Sequence, residues 1–149
     1  MTAKSRGKLA PADYRILAEF RFLMRRFMMF SEDAARESGL APQQHQALLA
    51  IKGLGIGDRM SLSDLADKLF LTPDEAAELA ASLQEAGHVT IETKHKRRPA
   101  VMLTAQAEEL LHRLTSAHLY EIREMAPELM QALRMLGDHR QMEVAAWMQ

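Results

Sequence analysis

The sequence predicts a mainly α fold with a small β-hairpin wing: a winged helix-turn-helix flanked by long N- and C-terminal helices. Three observations carry this prediction. Apolar residues recur at steps of three and four along most of the chain. The period changes to two in one place, between His88 and Leu103. Two capped helices separated by a brief turn come directly before that hairpin. At 149 residues, 48 % hydrophobic and 26 % charged, the chain suits one folded domain, 1–149, with a sizeable core.

The first helix is expected from Pro11 to about Ser38, with Leu17, Phe20, Met24 and Phe27 as its buried stripe and Gly39 ending it. Pro42 opens a second helix that carries Ala47, Leu48 and Ile51 inward to about Gly53. The glycines of 53–58 then make a loop. Ser61 starts a short helix to Phe70, with Leu62, Leu65, Ala66 and Leu69 on its apolar face. Thr72-Pro73-Asp74-Glu75 has the form of a capping box, and Ala76, Leu79, Ala80 and Leu83 carry the following helix inward as far as Gly87. His88 to Thr93 and Ala100 to Leu103 read as strands around a basic tip, Lys94 to Arg98. Thr104 caps a long helix with Leu110, Leu111, Leu114, Ile122 and Met125 inward. Pro127 is expected to interrupt that helix and Gly137-Asp138 to break it again, leaving Val144 to Met148 as a last short turn.

Composition excludes several functions. There is no cysteine, hence no disulfide, thiolate metal site, cysteine nucleophile or cysteine redox sensor. The six histidines lack tight ligand spacing, so no metal and no cofactor are expected. No phosphate-binding glycine loop, Ser-His-Asp arrangement or partnered carboxylate pair is recognisable, and an enzyme is not expected. No apolar segment near Met1 suits a signal peptide, and no apolar run spans a bilayer; a cytoplasmic protein is the expectation. The net charge of −1 gives no general attraction to nucleic acid, so any such interaction must be local.

The chain resembles the MarR family of bacterial regulators from about Tyr14 to Leu136. The resemblance rests on the stretch Leu40 to Leu49, on Ser63-Asp64-Leu65-Ala66, on Leu83-Gln84-Glu85-Ala86-Gly87, and on Val101-Met102-Leu103-Thr104 before a long helix. It implies a homodimer held by terminal helices, here 11–38 and 104–149, with a winged helix-turn-helix lobe at 42–103. It also implies binding to pseudo-palindromic duplex DNA and a small-ligand pocket between the two parts. The function expected is a dimeric DNA-binding transcriptional regulator, a repressor, responsive to a small-molecule effector.

In such modules the second helix enters the major groove and the wing lies over backbone or minor groove. The residues expected at DNA are therefore Ser61, Ser63, Thr72, Asp74, Glu75, Glu78 and Ser82, with Lys94, Lys96, Arg97 and Arg98 of the wing. Arg97 keeps the family's wing arginine, while His95 stands where the family has an aspartate. Phe20, Met24, Phe27 and His45 are the candidates for the ligand pocket. Methionine-rich helical faces, with eleven methionines in the chain, more often make core and dimer interface than a pocket. One departure opens a rival reading: Asp74, Glu75, Glu78 and Glu85 decorate the recognition helix, which has no Lys or Arg between Thr72 and Gly87. The alternative that this pattern suits is a winged-helix protein-interaction module with weak or lost DNA binding.

Overall fold

The computed structural model describes residues 7–94 and 97–147, with side chains through residue 136. The element order is α1 (Pro11–Glu37), α2 (Pro42–Leu54), β1 (Arg59–Ser61), α3 (Leu62–Leu69), α4 (Pro73–Glu85), β2 (Val89–Glu92), β3 (Ala100–Leu103) and α5 (Ala105–Trp147). The chain forms two compact units: a lobe, Ser31–His118, and a terminal unit made of Met1–Phe30 and Leu119–Gln149. No helix among the described residues is long and apolar enough to cross a membrane.

In the lobe, the two predicted strands pair antiparallel, with Val89 opposite Leu103 and Ile91 opposite Val101. A third strand, β1, was not expected; it adds to the other edge of β3, with Met60 opposite Val101, giving the order β1-β3-β2. Met60 is its buried residue, and a single inward side chain over three residues leaves no periodicity to read. Leu48 and Ile51 of α2, Leu65 of α3, Leu83 of α4, Val89 and Val101 are the largest fully buried side chains. Ala76 and Ala80 are also fully buried and let α4 pack closely.

Helix ends follow local chemistry. Gly87 lies at φ +85°, and the amide of His88 donates to the Leu83 carbonyl, a Schellman closure of α4. Phe70 takes the equivalent place after α3: its φ is +56°, Leu71 N–H donates to the Ala66 carbonyl, and the ring is 95 % exposed. A left-handed conformation costs a side-chain-bearing residue about 1–2 kcal/mol that glycine avoids. Phe70→Gly is therefore expected to raise stability by about 1 kcal/mol, read as a higher denaturation midpoint. A lower midpoint would mean that the exposed ring contributes packing.

The terminal unit corrects the sequence reading in two places. The buried residues of α1 there are Ile16 and Leu23, with Phe20 and Phe27 half-buried, whereas Leu17 is 59 % and Met24 42 % exposed. Apolar residues occupy adjacent faces of α1, so periodicity marks a helix without choosing its buried side. Leu23 packs with Met125 and Ala132 in a small core that Phe27 and Leu129 flank. Ile122, expected inward, is 43 % exposed. The second correction concerns α5, which runs unbroken through Pro127 and Gly137. An interior proline costs roughly 3 kcal/mol and a glycine about 1. Burial of Met125 and Ala132 on either side of Pro127 opposes its cost.

Candidate nucleic-acid interface

The turn from Phe70 to Thr72 joins α3 to α4 and is followed by a reciprocal capping box. Thr72 Oγ1 accepts from the Glu75 amide (3.2 Å), and Glu75 Oε1 accepts from the Thr72 amide (3.0 Å). The Thr72 amide, together with the Thr72 side chain, holds the Glu75 carboxyl below its ordinary titration range. Glu75 is thus engaged at the helix start, where its charge also complements the helix dipole. Asp74, Ala77, Glu78, Ala81 and Glu85 are exposed along one face of α4. Gln84 is exposed beside them, so two alanines and one amide stand among carboxylates on the outer side of this helix.

Ser61 and Ser63 stand at the start of α3. Ser61 Oγ accepts from the Asp64 amide at 3.0 Å, so Ser61 is the N-cap, while Ser63 is exposed. Ser82, expected at DNA, is instead half-buried: its hydroxyl donates to the Leu79 carbonyl (2.7 Å) and accepts from Gln44 Nε2 (3.4 Å). It lies beside Leu83 rather than on the outer face, and its polarity is satisfied internally.

The wing hairpin is tied to α3 at its root, where the Leu62 amide donates to the Pro99 carbonyl (2.9 Å). Lys94, Arg97 and Arg98 are exposed at its tip, and none has a carboxylate within ion-pair distance among the described residues. Lys96 and His95 lie outside the described residues. Arg97 and Arg98 line a cleft of ≈ 340 Å³ with Ser63, Asp67 and Pro73, which brings wing cations and the starts of α3 and α4 together. Arg98 also borders a second groove with Arg59, Asp64 and Lys68. Sequence reasoning missed Lys68; its only signal was a basic residue on the exposed side of α3.

The residues suggested for a ligand pocket fall into separate settings. Met24 and Phe27 line an apolar groove of ≈ 390 Å³ inside the terminal unit, with Leu23, Met28, Ile122 and Met125. Phe20 is half-buried in the same unit. His45 is buried in the lobe, its ring centroid 4.8 Å from that of His118. Among the described residues no group of three or more His, Asp or Glu side chains could hold a metal ion.

The fold is shared with solved MarR family structures. AbsC, a MarR family transcriptional regulator from Streptomyces coelicolor, matches at TM-score 0.70 and 18 % identity, covering 96 % of this chain and 98 % of that one. A second MarR family regulator from Streptomyces coelicolor, solved in complex with DNA, matches at 0.66 and 17 %, covering 93 % of each chain. NadR in complex with 4-hydroxyphenylacetate matches at 0.61 and 18 %, covering 95 % and 96 %. No family model matches the sequence, and no curated protein matches it. The chain has a MarR-like winged-helix fold.

Proposed function

We propose that this chain is a dimeric transcriptional regulator, a repressor, that binds duplex DNA through α3, α4 and the wing and answers to a small-molecule effector. The observation that carries the reading is the group of exposed wing cations, Lys94, Arg97 and Arg98, of which Arg97 and Arg98 line a cleft with the starts of α3 and α4. Such a group releases counterions from DNA and supplies affinity largely independent of sequence. The neighbour solved with DNA supports the partner, and NadR with its bound 4-hydroxyphenylacetate supports the effector. In this reading 42–103 is the DNA-binding part, while 11–38 and 104–149 hold the dimer.

The acidic face of α4 favours a second reading, a protein-interaction module that has given up DNA. Carboxylates near phosphates oppose binding over a Debye length of about 8–10 Å. Glu75→Gln/Glu78→Gln, in which Gln still serves the capping box, is expected to raise affinity for a random duplex about threefold to tenfold at low salt, and less at physiological salt. If Glu78 instead accepts from a cytosine N4, the same change relaxes discrimination at one base pair by roughly 1–3 kcal/mol. Titration of specific and random duplexes at two salt concentrations tests both. No change on either, with folding intact, would transfer the assignment to the protein-interaction reading.

A further inference from the structure

Two neighbouring residues in the first turn of α2 point in different chemical directions. Gln44 caps α2, its Oε1 accepting from the Ala41 amide at 2.9 Å, and its Nε2 donates to Ser82 Oγ on the recognition helix. His45, next along, is buried against His118 of α5, the two rings tilted by 44°. His118 Nδ1 lies 2.6 Å from the Leu114 carbonyl, and its Nε2 lies 2.8 Å from Ser31 Oγ on α1. A carbonyl only accepts, so the hydrogen-bond network assigns the proton of neutral His118 to Nδ1, and Nε2 accepts from the Ser31 hydroxyl. One turn of α2 therefore connects a buried imidazole pair, which joins three helices, to the side chain that holds α4.

We propose that His45 and His118 form a proton-operated switch on the grip of α2 on the recognition helix: α4 is held for DNA at neutral pH and loosened below roughly pH 6.5. The inference rests on the DNA-binding reading. A positive charge on buried His45, beside the His118 ring, is poorly solvated, and the site answers by moving the His45 ring outward. Several charged groups of the surrounding elements are engaged elsewhere. Glu32 and Asp33 of α1 pair with Arg36, and Lys52 of α2 pairs with Asp58 and with Glu108 of α5. Glu37 of α1 and Arg113 of α5 border an open groove with Ser38, and His112 of α5 borders another beside Lys52. Burial, followed by the field of His118, depresses the titration of His45. A depressed histidine contributes stability in full above its unfolded value near 6.5, and that contribution is lost as the pH falls through this value towards the native one.

The test compares the unaltered protein with His45→Gln on a labelled random duplex, at fixed ionic strength, from about pH 7.5 to about pH 5.5. The unaltered protein should lose affinity relative to the variant as the pH falls, by up to about tenfold per pH unit for one linked proton. Groups remote from the pair are the same in both proteins and cancel in the ratio. A ratio that stays constant overturns the switch. The second measurement needs neither DNA nor the variant: in the free protein, the His45 ring signal and the Ser82 amide signal should move with one midpoint by NMR. A Ser82 amide that ignores the His45 titration overturns the switch even if the variant fails to fold. If no duplex binds at any pH while the two signals move together, the switch stands and the DNA reading falls.

Discussion

Replacing Lys94, Lys96, Arg97 and Arg98 together by Ala is expected to weaken binding to specific and random duplexes to about the same extent. The physical reason is the division of labour across the lobe. The exposed face of α4, Asp74, Ala77, Glu78, Ala81, Gln84 and Glu85, would bring net negative charge to a groove. On the proposed reading, attraction to phosphate comes from the wing, with Lys68 at its flank. Each phosphate contact contributes about 0.9 to the slope of log K against log salt, so losing four should make the slope shallower by up to roughly 3–4 units. Filter binding or anisotropy at several salt concentrations measures this. A slope unchanged by the substitution would remove the wing from the interface.

The second large effect concerns the terminal unit. Its buried apolar residues are few among those described, Ile16, Leu23, Met125 and Ala132, while Leu17, Phe22, Met28, Met29, Tyr120 and Leu133 remain exposed. Apolar surface on that scale marks an interface, and a second copy of the same unit offers a self-complementary cover. Glutamates at Met28 and Ile122, which line the same apolar groove, would have to be desolvated on association. Met28→Glu/Ile122→Glu is expected to convert a dimer into a monomer in light scattering. The loss of two-site engagement should also cost roughly 10²- to 10⁴-fold in affinity for a paired DNA site. A parent protein that is already monomeric at micromolar concentration would contradict the dimer.

What could be read from the sequence was mostly what local chemistry decides. The capping box at Thr72 and Glu75 needs four consecutive residues, and it forms as expected. The inward face of α4 follows from its leucines, which lie on one side, and Leu79 and Leu83 are buried accordingly, as are Leu48 and Ile51 of α2. Tertiary context governed the failures. The choice between Leu17 and Ile16 as the buried side of α1 depends on what packs there, and β1 exists only because β3 offers an edge. Pro127 signals a break by its chemistry, yet packing of Met125 and Ala132 carries α5 through it.

For the candidate interface, the cations of the wing were legible as charge in a hairpin tip. Their meeting with Ser63 and Pro73 in one cleft was not, because it depends on how the hairpin folds back onto α3. Ser82 illustrates the opposite error. A serine on the recognition helix suggests a base contact, but Gln44 sits 38 residues earlier and engages it from inside. The His45–His118–Ser31 cluster spans three helices and carries no sequence motif at all.

The central claim is that the start of α3, the outer face of α4 and the wing together form a DNA surface. Hydrogen–deuterium exchange of the full chain, with and without a saturating duplex, tests it most directly. The account predicts added protection at the amides of Ser61 to Asp64, of Thr72 and Asp74 to Glu78, and of Thr93 to Arg98, with little change around Lys52 and Glu108. Protection confined to other segments, or absent from all three while the duplex is bound, would contradict it.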